Sequence, residues 1–496
     1  MALEILSVLQ MAEADRRTIE GGVPGADLME AAGQACARAI CARWTPRPVA
    51  VLCGPGNNGG DGFVIARALR ASGWEVRVSC LVPVSKLKGD AAHMAGLWEG
   101  EIFPLTTDSL VDARLVVDAV FGAGLSRPVD GVAAEVLTAC TQTQTPLMAV
   151  DVPSGVEGGS GKILGMAPMA ALTVTFARKK IGHVLMPGRL HCGAVTVVDI
   201  GIPERVIAGL GAAVFENTPD LWRAVFPRSD PLGHKYDRGH AVAVSGGPSH
   251  TGAARLAARG ALRAGAGLVT VACPKAALLV NAAHLTTEMV RAFEGPLEMD
   301  ELLQDSRKNA VVIGPGGGVG ADNCALVRTV LRAGCAAVLD ADALTSFAGQ
   351  SASLFELIHD RVILTPHEGE FQRLFPGLLK SASHRLDAAR TAARLSGAVI
   401  VLKGPDTVIA APEGGAALNT NAPPFLATAG SGDVLGGIIT GLLAQGMPVF
   451  EAACAGVWLH GEAGHRLGTG LIAEDLPQAL PAVLQALTAP VPRDEA

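Results

Sequence analysis

The sequence predicts an α/β fold of two domains, an N-terminal Rossmann-like domain and a C-terminal α/β domain, each with a parallel sheet covered by helices on both faces. Three observations predict it. Short, continuous apolar runs alternate with longer helical stretches, as strands and crossover helices do in parallel sheets. This pattern starts twice, once in each half of the chain. The 496 residues are also too many for one hydrophobic core.

Composition narrows the class of protein. Apolar residues make up 49% of the chain and charged residues 18%, which excludes a disordered chain. The net charge of −7 and the scattered basic residues offer no nucleic-acid surface. No apolar run reaches the roughly 18 residues of a membrane span, and the N-terminus lacks the order of a signal peptide. The ten cysteines contain no C-x-x-C pair. We therefore expect a cytoplasmic enzyme with small-molecule substrates and neither nucleic-acid nor membrane partners.

The first half opens with helical periodicity at residues 3–11 and 28–40. Apolar runs then predict strands at 49–53, 76–82, 115–119, 147–150, 172–176 and 194–199. Residues 201–233 contain four prolines and no sustained alternation, which indicates a domain boundary near residue 215. We predict domains over residues 1–215 and 216–496. Strands of the second domain are expected at 240–245, 268–272, 310–313, 337–340, 362–364, 399–402 and 408–411.

The first strand of the first domain leads into a glycine-rich loop, residues 54–62. Glycines permit positive φ and close backbone approach, and the start of the next helix offers N–H groups to phosphate. The loop fits G-x-G-x-x-G, but the second strand, 76–82, ends without the acid that binds ribose in dinucleotide folds. This argues against an NAD-dependent dehydrogenase.

Two later strands of this half also end in chemistry-bearing residues. Asp118 ends one strand, and Asp151 and Ser154 follow another. A single Asp at a strand end is often a helix cap or turn former. Ligands of open parallel sheets bind at the carboxyl ends of strands, so we expect these residues and the glycine loop to converge on one site.

These segments carry a resemblance to a known family. Residues 54–62 (Gly-Pro-Gly-Asn-Asn-Gly-Gly-Asp-Gly), 117–124 (Val-Asp-Ala-Val-Phe-Gly-Ala-Gly) and 150–155 (Val-Asp-Val-Pro-Ser-Gly) look like the signature of NAD(P)H-hydrate epimerases. The resemblance spans residues 1–215. It implies a homo-oligomer, a K⁺ ion held by Asn58, Asp118 and Ser154, and Asp151 as the acid–base residue. It places the hydrated dinucleotide on Asn57, Asn58, Gly59, Gly60, Asp61, Gly122, Ala123, Gly124, Leu125, Ser126, Arg127, Pro128 and Asp151.

Two further features of the first half leave alternatives open. Lys179 or Lys180 either assists Asp151 or lies solvated at the edge of a helix or strand. The apolar N-terminal helix expected over residues 3–11 could pack between subunits of an oligomer.

The strongest signal of the second half is Gly430-Ser431-Gly432-Asp433, followed by an apolar helix over 434–443. Backbone N–H groups at this turn could stabilise charge on a transferring phosphoryl group. Asp433 is placed to take a proton from a substrate hydroxyl. The alternative is an acid that only complements the helix dipole.

The turn resembles the catalytic loop of the ribokinase-like superfamily. Together with residues 313–318, 338–344, 364–370 and 402–407 it looks like the ADP/ATP-dependent NAD(P)H-hydrate dehydratases over about residues 220–490. Gly317 stands where that family commonly has Leu. His367 is alternatively a turn histidine. The resemblance implies Mg²⁺ with ADP or ATP. It assigns the nucleotide to Lys403, Gly404, Pro405, Asp406, Thr407 and Gly432, and the hydrate to Ala253, Gly316, Gly318, His367 and Asp433, with Asp433 as base.

The sequence thus predicts a bifunctional repair enzyme. The first domain would interconvert the R and S epimers of hydrated NADH and NADPH, and the second would dehydrate the S epimer using ADP or ATP, giving AMP or ADP and phosphate. Two alternatives remain at this point. One is a small-molecule kinase of the hydroxymethylpyrimidine or hydroxyethylthiazole type with an appended ligand-binding domain. The other is a dinucleotide sensor without catalytic activity.

Overall fold

The computed structural model describes residues 3–228 and 230–488. The chain divides between Val214 and Phe215 into two compact units, each with its own largely parallel sheet. The predicted two-domain α/β architecture is therefore confirmed. Residues 1–2, 229 and 489–496 of the predicted domain ranges lie outside the described residues.

A seven-stranded parallel sheet in the order β4-β3-β2-β5-β6-β7-β9 forms the centre of the first unit's described part. Two short strands, β1 and β8, pair separately in parallel. The strands are β1 (Ile5–Leu6), β2 (Val49–Cys53), β3 (Val76–Cys80), β4 (Ile102–Pro104), β5 (Leu115–Ala119), β6 (Leu147–Val150), β7 (Leu172–Phe176), β8 (Lys179–Lys180) and β9 (Ala194–Val198).

Helices cover this sheet on both faces because its central strands are apolar on both sides. Along β2, Val49, Val51 and Cys53 pack in a core with α2, α3 and α4, whereas Ala50 and Leu52 pack toward α5. The helices are α1 (Val8–Glu20), α2 (Gly25–Arg43), α3 (Asn57–Ala71), α4 (Gly89–Gly96), α5 (Gly131–Gln142), α6 (Gly188–Cys192) and α7 (Glu204–Ala208).

The expected helix over residues 3–11 is wrong at its start. Ile5 and Leu6 form β1, whose partner is β8, and α1 begins only at Val8. Ser7 is the reason: its side chain accepts a hydrogen bond from the backbone of Gln10, whose own side chain accepts one from Ser7. This capping box fixes the helix start.

The second unit's described sheet has ten strands in the order β10-β19-β18-β17-β16-β15-β14-β11-β12-β13. From β17 to β13 neighbouring strands are parallel, and β17, β18 and β19 form an antiparallel edge. The strands are β10 (Val214–Glu216), β11 (His240–Val244), β12 (Leu268–Pro274), β13 (Met289–Phe293), β14 (Lys308–Ile313), β15 (Ala336–Leu339), β16 (Val362–Leu364), β17 (Val399–Leu402), β18 (Val408–Ala410) and β19 (Ala416–Leu418).

A pair of closely packed helices, α9 and α18, holds the glycine turn of the second unit. A Cβ on Gly437 would lie 2.0 Å from the Ala257 carbonyl oxygen, and one on Gly441 would lie 2.4 Å from that of Ala261. Only glycine permits this approach. The helices are α8 (Pro219–Trp222), α9 (Gly252–Arg263), α10 (Leu278–His284), α11 (Gly295–Leu303), α12 (Ala321–Arg332), α13 (Asp342–Thr345), α14 (Ser351–Phe355), α15 (Glu368–Leu374), α16 (Leu378–Ser381), α17 (Arg385–Ser396), α18 (Ser431–Ala444), α19 (Val449–Leu467) and α20 (Leu476–Thr488).

The strands that the sequence did not predict are short or half-exposed. β4, β10 and β19 have three residues each, and β13 alternates between exposed and partly buried positions over most of its length. Such runs give too weak an apolar pattern to read. None of the described helices combines the length and apolarity needed to cross a membrane.

Candidate active sites

The glycine-rich loop of the first unit is pressed against the loop that follows β5. A Cβ on Gly54 would lie 1.8 Å from the Val120 carbonyl oxygen, and one on Gly59 would lie 2.0 Å from that of Gly54. A side chain at Gly54 would therefore push the two loops apart, and one at Gly59 would distort the glycine-rich loop itself. The close fit brings Asn57 and Asn58, at the start of α3, to the carboxyl edge of the sheet.

Asp151, directly after β6, occupies the centre of this edge with a left-handed backbone, φ 65°. Such a conformation is strained and is often found at functional sites. The Lys180 ammonium donates to Oδ1 at 2.8 Å and the Thr175 hydroxyl donates to the same oxygen at 2.9 Å. The backbone N–H of Ala123 donates to Oδ2 at 2.9 Å. The carboxylate is therefore held in one orientation by three donors.

These donors decide the charge of Asp151. Burial, the largest single effect, would raise its pKa, but the charge of Lys180, the nearby His183 and the hydrogen bonds from Lys180 and Ala123 together outweigh burial and lower the pKa to about 2. Asp151 is ionised at neutral pH. His183 donates from Nε2 to the backbone oxygen of Asp151 at 2.7 Å, and burial, then Lys180, lowers the pKa of His183 to about 4. The imidazole is therefore neutral.

Lys180 is the alternative that the sequence left open, and its side chain is not solvated. It is 3% exposed and paired with Asp151. The lysine reaches Asp151 because β8 docks against β1. This position favours assistance to Asp151 over a solvated strand edge.

A cavity of about 610 Å³ opens over Asp151, which we call the main cavity. Two further carboxyls, Asp15 on α1 and Asp61 on α3, line it with Lys180. Burial raises the pKa of Asp15 to about 6, and burial with the charges of Asp151 and Asp15 raises that of Asp61. Sequence reasoning missed Asp15, because an Asp within an amphipathic helix looks like any exposed helical acid.

The predicted substrate residues of the first unit divide into three groups. Most of them line the main cavity, while Pro128 lines a second cavity beside it. Gly59 and Gly60 are buried behind the wall, where a Cβ on Gly60 would lie 2.5 Å from the sulfur of Met29. The residues lining the main cavity are Asn57, Asn58, Asp61, Gly122, Ala123, Gly124, Leu125, Ser126, Arg127 and Asp151.

The predicted cation ligands Asp118 and Ser154 are hydrogen-bonded to each other. Asp118 is fully buried and accepts hydrogen bonds from the hydroxyl and the backbone N–H of Ser154, at 2.6 and 2.8 Å. Burial raises the pKa of Asp118, and no Lys, Arg or His of the described chain forms an ion pair with it. Asn58 lies beside Asp151, since a Cβ on Gly122 would contact both side chains at 3.2 and 3.3 Å. Its buried Nδ2 has no hydrogen-bond partner in the described residues.

In the second unit, Asp433 lies in the first turn of α18, after Gly430 with φ 85°. Burial and the nearby charges of Asp340 and Asp342, opposed by that of Lys403, raise the pKa of Asp433 to about 6. A Cβ on Gly432 would lie 3.5 Å from the Lys403 ammonium and 3.8 Å from Asp340 Oδ2. The turn, the lysine and the carboxylates therefore form one cluster.

Lys403 links three elements of this cluster. Its ammonium donates to Asp340 Oδ1 at 2.7 Å and lies 3.9 Å from Glu370 Oε2. Burial opposes the charge of Lys403, but Asp340 and Glu370 outweigh it and raise its pKa. Sequence reasoning quoted Asp340 and Glu370 within motifs without giving them a role. The signal available was the position of Asp340 directly after β15 and of Glu370 in the first turn of α15, the helix that follows β16.

The other predicted nucleotide residues form a tight turn after β17. The Thr407 hydroxyl accepts from the Gly404 N–H and donates to its carbonyl, and Arg385 bonds to the Lys403 carbonyl and pairs with Asp406. The side chains of Asp406 and Thr407 are buried. Pro405 lies in the same turn.

The predicted hydrate residues of the second unit come from four places in the fold: Ala253 in the first turn of α9, Gly316 and Gly318 after β14, His367 at the start of α15, and Asp433 in the first turn of α18. A Cβ on Gly316 would lie 3.8 Å from the Cβ of Ala253, and the Gly318 N–H donates to Asp342 at 2.9 Å. His367 caps α15, since its Nδ1 accepts from Gly369 N–H, and its Nε2 lies 3.2 Å from Glu370. His367 thus has a turn role, and its side chain is still 55% exposed.

Comparisons with known proteins give matches over nearly the whole chain. The family model described as NAD(P)H-hydrate dehydratase matches residues 241–485, and that described as YjeF-related protein N-terminus matches residues 25–182. The bifunctional NAD(P)H-hydrate repair enzyme Nnr of Moorella thermoacetica is 37% identical over 97% of each chain. That of Salinibacter ruber is 36% identical over 97% of this chain and 96% of its own.

A solved structure matches the second half. The crystal structure of a ribokinase-like superfamily protein from Enterococcus faecalis is 28% identical and has a TM-score of 0.50. It covers 55% of this chain and 96% of the other. The predicted ribokinase-like fold is confirmed.

Proposed function

The chain belongs to the family of bifunctional NAD(P)H-hydrate repair enzymes, and on that premise we propose which of its residues carry each reaction. It interconverts the R and S forms of hydrated NADH and NADPH and dehydrates the S form to the reduced dinucleotide. One observation carries the assignment: each unit has its own carboxylate–lysine pair at the carboxyl edge of its own sheet, Asp151 with Lys180 and Asp340 with Lys403. The second pair lies beside Asp433.

We propose that epimerisation proceeds by reversible loss of the ring hydroxyl in the main cavity. The hydroxyl leaves with its electron pair and takes a proton, forming water and a ring cation. Water then adds to the other face and returns a proton. Asp151, ionised with a pKa of about 2, stabilises the cation and accepts the returning proton. Asp15, with a pKa of about 6, supplies the proton to the leaving hydroxyl, and the proton taken up by Asp151 then returns to Asp15 through solvent, which restores both groups.

The residues fit the proposed K⁺ ion. Asn58, Asp118 and Ser154 offer amide, carboxylate and hydroxyl oxygens, the hard ligands that such cations prefer. The buried carboxylate of Asp118 is without a basic partner in the described residues, and the amide oxygen of Asn58 lies beside Asp151. A bound cation would supply positive charge next to the substrate. Asp118 and Ser154 do not line the main cavity and would hold the ion without contacting the substrate themselves.

Removing K⁺ should therefore slow epimerisation and leave dehydration of the S form unchanged. K⁺ should also raise the melting temperature of the wild type, because a ligand that binds only the folded state stabilises it. Asp118→Asn keeps the side-chain shape but removes the charge, so it should lose both responses. Titrations of rate and melting temperature with KCl against choline chloride measure this. A wild type indifferent to K⁺ in both readouts would refute the cation site.

For dehydration we propose that a phosphoryl group of ADP or ATP is transferred to the ring hydroxyl. Asp433 takes the hydroxyl proton, the oxygen bonds to phosphorus, and the bond from phosphorus to the nucleotide breaks. The ring nitrogen then donates electrons as phosphate leaves, and loss of a ring proton to water restores the reduced dinucleotide. Lys403 and the N–H groups at Gly432 neutralise charge on the phosphoryl group. The segment 403–407 binds the nucleotide.

The second site suits a Mg²⁺ ion that is bound mainly through the nucleotide phosphates. The described residues contain no cluster of three His, Cys, Asp or Glu that could hold a metal ion. Mg²⁺ is commonly bound through substrate phosphates with one or two carboxylates, and Asp340 beside Gly432 is the best-placed carboxylate. The ion would neutralise phosphate charge.

The base role of Asp433 predicts a pH dependence. A base acts in its deprotonated form, and the pKa of Asp433 is about 6. The kcat/KM of dehydration should therefore rise with pH up to about 6 and then level off. Asp342→Asn removes a like charge that raises this pKa, so its profile should shift to lower pH. Rates for the S form measured from pH 4.5 to 8 test this, and a rate that increases on acidification contradicts the assignment.

The function itself is tested with purified protein, a mixture of both epimers and either ADP or ATP. Absorbance of reduced nicotinamide should appear until both epimers are consumed. If neither epimer is consumed with either nucleotide, the proposed function fails.

A further inference from the structure

A second cavity, of about 550 Å³, adjoins the main cavity of the first unit; we call it the side cavity. It is lined by residues 80–84, 102–105 and 127–133 together with Pro55, Phe121 and Leu125. Four of these residues, Pro55, Phe121, Leu125 and Arg127, also line the main cavity. The two cavities therefore lie on either side of a shared wall, and a long ligand can occupy both.

The side cavity lies where the other half of a dinucleotide would reach. The main cavity opens at the carboxyl ends of β2, β5 and β6, and the side cavity at those of β3 and β4. Strands of a sheet are about 4.8 Å apart, so three spacings from β6 to β3 cover about 14 Å. Dinucleotides lie across the carboxyl edge of open α/β sheets in this way.

The walls of the side cavity suit a flat aromatic base. Phe103 and Phe121 contribute rings, and Val82, Val129 and Val132 contribute apolar surface. The guanidinium of Arg77 lies 4.6 Å from the ring centre of Phe103, which holds that ring in place. A volume within about 300–1,000 Å³ and mostly apolar walls are typical of sites for small organic ligands.

The charged groups fit the rest of the molecule. Arg127 lines both cavities, and the first residue of α3, Asn57, lines the main cavity, so a pyrophosphate that crosses from one cavity to the other would meet a positive side chain and a helix N-terminus. The segment after β3, Leu81-Val82-Pro83, contains no acid, whereas Asp130 also lines the side cavity.

We propose that the side cavity binds the adenosine half of the hydrated dinucleotide during epimerisation. This inference rests on the proposed function, in which the nicotinamide ring lies at Asp151. Binding energy from this remote half of the substrate then positions the reacting ring.

The test compares two substrates in the full-length chain. They are hydrated NADH and the hydrate of reduced nicotinamide mononucleotide, which lacks the adenylate. Epimerisation is followed by separating the epimers without added ADP or ATP. Val132 is 43% exposed, so Val132→Trp should fold while filling the side cavity. Leu97, 41% exposed and outside the lining of both cavities, gives the matched control Leu97→Trp.

Wild type should use the dinucleotide hydrate with a kcat/KM at least about tenfold above that for the mononucleotide hydrate, since truncated substrates lose remote binding energy. Val132→Trp should have a kcat/KM about tenfold lower than wild type for the dinucleotide hydrate and an unchanged kcat/KM for the mononucleotide hydrate. AMP should inhibit this variant more weakly than it inhibits wild type. Leu97→Trp should behave as wild type. Equal rates on both substrates with no inhibition by AMP, or an equal loss on both in Val132→Trp, would overturn the proposal. Wild type that epimerises neither substrate refutes the proposed function instead.

Discussion

Asp433→Asn should abolish dehydration of the S epimer while epimerisation continues at the wild-type rate. Without the base, the ring hydroxyl cannot lose its proton as the phosphoryl group arrives, and general-base catalysis is worth about 10²–10⁴-fold. The measurement is the appearance of reduced nicotinamide with ADP or ATP, set against the rate at which the two epimers interconvert.

The same variant should not lose stability. The pKa of Asp433 is raised in the folded chain, so above its unfolded pKa the ionised carboxylate destabilises the fold. Asparagine removes that charge, and the variant should be at least as stable as wild type at pH 7. A loss of dehydration accompanied by a lower melting temperature would point to a structural role. Undiminished dehydration would remove Asp433 from the mechanism.

Asp151→Asn should lower the rate of epimerisation by at least about 10²-fold. Dehydration of the pure S form should be unchanged. It also breaks a buried ion pair, because the Lys180 side chain is 3% and that of Asp151 15% exposed. Removing one partner of such a pair costs about 3–5 kcal/mol. The single variant should therefore melt at a lower temperature than wild type.

A paired variant separates these two effects. Asp151→Asn with Lys180→Met removes both charges, so it should recover part of the lost stability, since replacing both partners is often close to neutral. It should remain inactive in epimerisation. Calorimetry and the epimerisation assay on the full-length chain measure both effects. Activity that returns together with stability would show that Asp151 acts only through the fold.

The sequence was sufficient for the architecture because strong local patterns carry it. Continuous apolar runs predict β2, β5 and β17, and glycine turns mark the carboxyl edges where Asp118, Asp151 and Asp433 lie. Weak patterns failed, as at β1, where a two-residue strand was predicted as the start of a helix. A single pairing partner, β8, decides that conformation.

The charge partners could not be predicted from sequence, because they depend on tertiary distance. Lys403 and Asp340 are 63 positions apart, and Lys180 and Asp151 are 29 apart. Asp15 reaches the main cavity only because α1 packs along its rim. Burial, which sets the pKa values of Asp15 and Asp433, likewise appears only in the folded chain.

The central claim, that one chain has two independent sites acting in sequence on one substrate, is tested most directly by complementation. Pure R epimer is supplied with ADP or ATP to Asp151→Asn, to Asp433→Asn and to an equal mixture of the two. Each variant alone should yield no reduced dinucleotide beyond the slow spontaneous conversion of R to S, whereas the mixture should convert the R epimer fully. Full conversion of the R epimer by either variant alone would contradict the claim of two independent sites. An inactive mixture would also contradict it, provided that its Asp151→Asn component still dehydrates the S form.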